Sequence, residues 1–193
     1  MHHIYHTEGI ILSSKNFGET GRHYSIFTKD LGLIYASAQG VRKISSKLRF
    51  VLQDFAYIKV DLVQGKDFCL LTSAMKTNEL EEITKQSKNL AVFSNIARLL
   101  KRLLAGIEPN PELFTDVLNG LYVLEKSKSE EDLRNIEMIM VLRILNNLGY
   151  IGGSEEMQKL VKSPLEADLI YEISEQRSKV LSLINKTLKE THL

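Results

Sequence analysis

The 193-residue sequence contains a single cysteine, Cys69. One thiol can form neither an internal disulfide nor a cysteine-based metal site. Because Cys69 lies in the apolar run Phe68–Thr72, we interpret it as a buried structural side chain and not as a nucleophile. We therefore predict no metal and no cofactor.

Segments that would direct the chain to or through a membrane are also missing. No run of apolar residues approaches the length of about 18 that is needed to span a bilayer. The first residues, MHHIYHTEG, lack the basic segment followed by an apolar segment that marks a secretory signal. These absences favour a soluble protein of the cytoplasm.

Motifs of catalysis are scarce as well. The segment Gly18–Gly21 lacks the GK[ST] of a P-loop, and no serine lies in a G-x-S-x-G turn. Carboxylate pairs such as Glu130-Glu131 lie at predicted helix starts, where the helix dipole favours negative charge without any catalytic role. We therefore predict that the protein is not an enzyme and has no catalytic residues.

The net charge of +1 conceals a strongly uneven distribution. Residues 9–49 contain seven Lys and Arg against two Asp and Glu, and residues 31–53 contain no acidic side chain. A local basic field on a nearly neutral chain indicates a surface that faces anions. The alternative is a face that serves only solubility.

The first 75 residues follow the pattern of a small β barrel. Apolar and β-branched residues alternate in short runs separated by glycine-containing turns such as Asp30-Leu31-Gly32. No helical pattern is long enough for crossovers, so the sheet is expected to be mainly antiparallel. Five such strands favour the OB-fold, although an SH3-like barrel has a similar strand count. The predicted strands are Tyr5–Ser13, a run around Tyr24–Lys29, Leu33–Ala38, Phe55–Val63 and Phe68–Ala74.

From about Asn78 the apolar period changes to that of helices. Asn110-Pro111 and Ser129 are predicted to begin helices as caps, and Pro164 is predicted to be the first residue of the last helix. The predicted class is therefore α+β, a β barrel plus an α bundle. An N-terminal five-stranded OB-fold DNA-binding domain spans residues 1–78, and a C-terminal helical domain spans residues 79–193.

The basic residues of the barrel are the candidate DNA contacts. Lys and Arg pair with phosphate oxygens without reading sequence, and exposed aromatic rings can stack on bases. Aromatic residues are interleaved with the cations at Phe17, Tyr24, Tyr35 and Phe50, of which Phe17 is the best candidate for an exposed ring, whereas Phe27 is expected in the core. The predicted DNA-binding residues are Lys15, Phe17, Arg22, Lys29, Arg42, Lys43, Lys47 and Arg49.

Two further expectations concern surfaces. In an OB-fold, Arg22, Lys29, Arg42 and Lys43 should share one face. In the helical part, Arg98, Lys101 and Arg102 lie near a leucine-rich stripe. They are a weaker candidate for binding an acidic, apolar peptide tail, the alternative being a solvated polar face.

Several segments occur in an order and spacing that resembles the bacterial RecO family. They are Thr7–Leu12, Phe17–Glu19, Phe27–Gly32, Ala38–Arg42 and Leu71–Ala74, followed by Leu142–Tyr150 with its terminal Leu-Gly-Tyr. The resemblance covers residues 5–75 most specifically and ends at about Gly152. It implies an OB-fold domain followed by helices.

The resemblance also implies a function in DNA repair and homologous recombination. A protein of this family is expected to bind single- and double-stranded DNA and to anneal complementary strands. It is expected to help load RecA together with RecR and the carboxy-terminal tail of the single-stranded-DNA-binding protein, in the bacterial cytoplasm at the nucleoid. The alternative is an interaction module of the same fold with little DNA binding of its own.

One departure from the family pattern concerns zinc. Many RecO proteins carry a four-cysteine zinc motif just after the Leu-Gly-Tyr segment. Here that place reads IGGSEEMQKLVKSP, which contains no cysteine. The resemblance is therefore to a zinc-free or a shortened member, and partner contacts made through the missing part are not carried over.

Overall fold

The computed structural model describes residues 3–65, 68–104, 108–152 and 155–190. Contacts between residues divide the chain into two compact units. The first consists of residues 1–81 and 97–114, and the second of residues 82–96 and 115–193. The domain boundary between residues 78 and 79 stays a prediction.

The first unit contains a closed barrel of five strands. They are β1 (Ile4–Phe17), β2 (Gly21–Thr28), β3 (Gly32–Ala38), β4 (Tyr57–Gln64) and β5 (Cys69–Lys76). The order around the barrel is β1-β2-β3-β5-β4. The pairs are antiparallel except for β3 and β5, which are parallel and close the barrel. The predicted OB-fold followed by helices is confirmed.

Strand β1 holds the barrel together because it pairs with β2 and with β4. It is longer than the predicted Tyr5–Ser13 and includes Asn16 and Phe17, which were expected in a loop. The register shifts between Ile11 and Ser13. An irregularity of this kind bends and twists a strand, which is what a single strand needs in order to close a small barrel.

The barrel interior is filled by the inward-facing half of each strand. Ile26, Ile58 and Leu62 are fully buried there, and Tyr24 is only 1% exposed. Val41 and Leu52, from the segment between β3 and β4, pack against the same core. Phe27 is completely buried, as predicted, and its ring lies 5.3 Å from that of Phe114 within the same unit.

The segment between β3 and β4 departs from the sequence prediction. A short helix, α1 (Leu48–Val51), lies where an uninterrupted loop was expected. Strand β4 begins at Tyr57 and not at Phe55, because Phe55 has a φ of 69° that is incompatible with an extended strand. The backbone N–H of Phe55 nevertheless donates to the Ile11 carbonyl at 2.8 Å, which fixes the end of this segment on β1.

Five longer helices follow. They are α2 (Ser87–Leu103), α3 (Pro111–Lys126), α4 (Glu130–Asn147), α5 (Glu155–Lys162) and α6 (Ala167–Glu190). The predicted caps are confirmed: Asn110 Oδ1 accepts from the Leu113 N–H, and Ser129 Oγ accepts from the Asp132 N–H. The last helix begins at Ala167, so the prediction that Pro164 is its first residue was wrong by three positions.

Candidate nucleic-acid interface

One end of the barrel is formed by the β1–β2 turn and by residues 39–53, called here the basic segment. Gly40 turns the chain out of β3 with a φ of 67°, and its carbonyl accepts from the Lys43 N–H. The Arg42 N–H donates to the Thr20 carbonyl at 2.9 Å, and Arg42 Nη1 donates to the Gly18 carbonyl at 3.3 Å. The basic segment is thereby fixed to the turn between β1 and β2.

Arg22 faces the interior of the barrel at this end. It pairs with Ala38 across the sheet and lies two residues before Tyr24, and side chains two apart in a strand point to the same face. Since Tyr24 is in the barrel core, Arg22 lies at the mouth of the interior. Its Nε donates to Asn16 Oδ1 at 2.9 Å.

A pocket of about 230 Å³ lies at this mouth. Arg22, Arg42, Arg49 and Gln53 line it together with Tyr24, Val41 and Leu52. The last three residues are at most 2% exposed.

The three arginines have no acidic partners in the part of the chain that the structure describes. Arg22 and Arg42 donate to an amide and to a carbonyl, which are neutral acceptors. The Arg49 guanidinium lies 4.8 Å from the centre of the Phe50 ring, a cation–π arrangement. Because these partners carry no net charge, the positive charge of all three side chains remains available to an anion.

Lys43 and Lys47 add to this field. Both are exposed on the basic segment, beside the apolar side chains of Ile44 and Phe50, which are 88% and 63% exposed. Exposed apolar and cationic side chains on one segment suit a polyanion that also carries flat bases. The structure therefore brings together Arg22, Arg42, Lys43, Lys47 and Arg49.

Lys29 is not part of this group. It lies in the β2–β3 turn, at the opposite end of β2 from Arg22, which is roughly 23 Å along an extended strand. The expectation that Arg22, Lys29, Arg42 and Lys43 share one face is therefore not met for Lys29. Its role as a DNA contact stays a prediction.

Lys15 and Phe17 lie on the outer surface next to the same end. Lys15 pairs with His23 across the sheet, and Phe17 lies two residues further on the same face. The His23 ring lies between two others, 4.2 Å from that of Phe17 and 4.6 Å from that of Phe68. Phe17 and Phe68 are 50% and 42% exposed, so this aromatic stack presents ring surface to solvent.

Sequence reasoning missed two members of this stack. His23 was given no role, and Phe68 was assigned only to a strand. Their meeting depends on the order of strands β2, β3 and β5, which places His23, Ser37 and Leu70 in one row across the sheet. Nothing in the spacing along the chain reveals a row of this kind.

Tyr24, one of the aromatics interleaved with the cations, belongs to the core. Its hydroxyl is buried beside the Arg22 guanidinium, and its O–H has no acceptor among the described residues. Burial raises the pKa of the Tyr24 phenol, and the nearby Arg22 guanidinium opposes that rise only in part. The hydroxyl therefore remains protonated at neutral pH and can donate.

Of the predicted partner-binding residues, Lys101 is engaged within the first unit. Its Nζ donates to Ser13 Oγ at 2.9 Å, beside the register shift of β1. Arg98 and Arg102 are exposed on α2. The structure therefore gives Lys101 a structural contact, and the role of the three residues in partner binding stays a prediction.

Over the described residues, no group of three or more His, Cys, Asp or Glu side chains is arranged to hold a metal ion. Among the helices within those ranges, none has the length and apolarity that a membrane crossing requires. Burial raises the pKa of the Cys69 thiol.

The strand order, the parallel closure of β3 on β5 and the helices that follow define an OB-fold protein with a helical extension. Residues 1–78 match the family described as "Recombination protein O N terminal", and residues 85–151 match "Recombination protein O C terminal". The two matches cover well over half of the chain. The chain belongs to the RecO family.

Individual relatives support the same assignment. The DNA repair protein RecO of Desulfitobacterium hafniense is 27% identical over 147 residues, which is 76% of this chain and 52% of the relative. The DNA repair protein RecO of Mannheimia succiniciproducens is 29% identical over 188 residues, which is 92% of this chain and 76% of the relative. The chain spans about half the length of most of the curated relatives it matches.

Proposed function

We propose that this protein acts in DNA repair and homologous recombination by binding single- and double-stranded DNA without regard to sequence. The observation that carries the proposal is the set of cations at one end of the barrel, where Arg22, Arg42 and Arg49 have only neutral partners among the described residues. The names of the relatives and the matched family, which concern DNA repair and recombination, support this proposal.

The chemistry of the site supports backbone binding and not base reading. Guanidinium and ammonium groups pair with phosphate oxygens whatever the base. The rings of Phe17 and Phe68 offer faces on which any base can stack. Annealing of complementary strands would follow, because the bases' pairing edges remain free when only phosphates and base faces are held.

The test is a DNA-binding titration with a variant that lacks the cations of the basic segment. We expect the quadruple variant Arg42→Ala, Lys43→Ala, Lys47→Ala and Arg49→Ala to bind single strands and duplexes at least about tenfold more weakly at low salt. The loss should be similar for all sequences. Fluorescence anisotropy with mixed-sequence oligonucleotides measures it.

A matched control removes the same charge elsewhere. Lys126, Lys186 and Lys189 are exposed on α3 and α6, and Lys128 is exposed between α3 and α4. Changing all four to Ala lowers the net charge by the same amount. This control should keep its affinity for DNA. Equal affinity of both quadruple variants and the wild type would exclude the basic segment as the interface. Negligible binding by the wild type itself would favour the interaction-module alternative.

We further propose that the helical part binds the carboxy-terminal tail of the single-stranded-DNA-binding protein, and that the protein works with RecR to help load RecA. A groove of about 250 Å³ between α4 and α6 supports the first part. Apolar side chains of Met138, Val141, Leu181 and Ile184 line it together with Arg134, Arg177 and Glu137. Arg177 is also paired with Glu131 at 3.7 Å, so Arg134 is the main cation offered to a ligand. Apolar walls with a cation beside them suit an acidic peptide with an apolar end.

A fluorescent peptide of that tail tests the groove. Arg134 is exposed and Leu181 is 42% exposed, so Arg134→Ala and Leu181→Asp can alter the groove without disturbing the core. Each should weaken peptide binding about tenfold, whereas Lys128→Ala should not. If neither groove variant weakens peptide binding, Arg98 and Arg102 on α2 become the candidate residues for binding the tail.

A further inference from the structure

The pocket at the mouth of the barrel has features that a surface for a continuous DNA strand does not need. The buried side chains of Tyr24, Val41 and Leu52 form part of its lining. The Tyr24 hydroxyl is buried beside the Arg22 guanidinium, and its O–H has no acceptor among the described residues, although buried polar groups are nearly always bonded. An O–H without an acceptor in a cationic pocket indicates that a ligand supplies the acceptor.

The charge around this hydroxyl identifies the sign of the ligand. Arg22, Arg42 and Arg49 line the pocket, and all three lack acidic partners in the described ranges. The carboxylate of Asp54 is near enough to act on the Tyr24 phenol, but it is exposed and single against three guanidinium groups. The pocket therefore favours an anion with more than one negative charge.

The shape of the pocket favours the phosphate at the end of a DNA strand over a phosphate within the strand. An internal phosphodiester carries one negative charge and must leave room for the chain on both sides. A terminal phosphomonoester carries between about −1.5 and −2 at neutral pH and presents three acceptor oxygens from one side. A pocket lined by three arginines and by one hydroxyl donor, next to buried side chains, matches the second ligand.

We propose that this pocket binds the terminal phosphate of a DNA strand, with Arg22, Arg42 and Arg49 around the phosphate oxygens and the Tyr24 hydroxyl as a donor. The proposal rests on the proposed DNA binding and adds to it a preference for strand ends. It assigns to Tyr24 a binding role in addition to its place in the core.

The experiment compares three single strands of one sequence in the same anisotropy titration. One carries a 5′-phosphate, one a 3′-phosphate, and one ends in hydroxyls. We expect the phosphate at one of the two ends to raise the affinity of the wild type about tenfold, the worth of one good hydrogen bond to a charged group. Equal affinity for all three strands would overturn the proposal while leaving the proposed function intact.

Two variants localise the effect. Tyr24→Phe removes only a hydroxyl whose proton has no acceptor in the described structure and keeps the ring in the core, so the variant should fold. Arg49→Gln removes one of the three charges. Both should lose most of the preference for the phosphorylated strand, and Tyr24→Phe should keep the affinity for the hydroxyl-ended strand. Lys43→Gln, which does not line the pocket, should keep the full preference. A preference that persists in Tyr24→Phe and Arg49→Gln would overturn the assignment.

Thermal unfolding in inorganic phosphate tests the pocket without DNA. At constant ionic strength, phosphate should raise the Tm of the wild type and of Lys43→Gln more than that of Arg49→Gln. An equal response in all three proteins would overturn the pocket as a phosphate site. If no strand binds at all, the proposed function fails, and this measurement still decides whether the pocket holds phosphate.

Discussion

Gly9 lies at a point of the barrel where β1 is paired on both sides, with Thr28 of β2 and with Ile58 of β4. A Cβ added here would be 2.7 Å from Ile26 Cγ2 and 3.1 Å from the Phe27 carbonyl oxygen. Because the backbone oxygen cannot move away, we expect Gly9→Ala to lower the free energy of unfolding by about 1–3 kcal/mol. Urea unfolding followed by circular dichroism measures this.

Gly152 is the matched control for that substitution. A Cβ at Gly152 meets no atom within 4 Å, and the residue is exposed. Gly152→Ala should therefore leave the unfolding midpoint nearly unchanged. An equal loss in both variants would show that the close approach at Gly9 is not the cause.

The thiol of Cys69 is a second residue whose chemistry follows from its place in β5. Burial raises its pKa, so the reactive thiolate is scarcer in the folded protein than in the unfolded chain. We expect iodoacetamide to label native Cys69 more slowly than the same residue in urea at pH 8. The native rate should continue to rise at a higher pH than the unfolded rate does. Identical pH profiles would contradict the effect of burial.

At the residue scale, the sequence alone predicted which side chains are buried and which are exposed at some positions and not at others. Phe27 was expected to be buried and Phe17 to be exposed, and both are. Tyr24 was named among the aromatics interleaved with the cations without being assigned to core or surface, because alternation along β2 leaves open which of its two faces points inward. Closure of the barrel decides that, and it depends on pairing with β1 and β3.

At the element scale, Asn135 connects α4 to α6 in the second unit. It is 1% exposed, and its Nδ2 donates to the Ile170 carbonyl at 2.9 Å, while its Oδ1 accepts from Arg177 Nη2 at 2.7 Å. Asn135 Nδ2 also donates to Ser174 Oγ at 3.3 Å, so Asn135→Ala removes three bonds and leaves a small void. We expect a loss of about 1–3 kcal/mol in the free energy of unfolding, measured by urea denaturation.

An exposed asparagine on the same pair of helices controls for the change in composition. Asn185 lies on α6 and is exposed, so Asn185→Ala should change stability by less than about 0.5 kcal/mol. A loss at Asn135 no larger than that at Asn185 would mean that the buried bonds do not stabilise the pairing of α4 with α6.

Elements were predictable where the signal is local. The caps at Asn110 and Ser129 depend on residues within one turn, and both were predicted correctly. The interruption of the fourth strand at Phe55 depends on a backbone bond to Ile11, which is 44 positions away along the chain. The stack of Phe17, His23 and Phe68 likewise depends on strand order, and no local pattern indicates it.

At the scale of the whole molecule, the net charge of +1 would predict little attraction to DNA. The fold alters this by gathering Arg22 from the start of β2 and the cations of the basic segment at one end of the barrel. The excess of Lys and Arg over Asp and Glu in residues 9–49 predicted that this surface is positively charged. It also included Lys29, which the fold carries to the other end of β2.

Salt dependence measures how much of DNA binding this local field supplies. The logarithm of the binding constant falls linearly with the logarithm of the salt concentration. Each phosphate contact steepens this slope by about 0.9 on duplex DNA and by about 0.7 on single strands. The variant with Arg42, Lys43, Lys47 and Arg49 changed to Ala should therefore have a slope shallower by about 3. Anisotropy titrations from low to moderate salt measure the slopes.

The variant with Lys126, Lys128, Lys186 and Lys189 changed to Ala has the same net charge, so its slope should match the wild type if position, and not total charge, controls binding. Equal shallowing in both variants would instead mean that the field of the whole molecule attracts DNA.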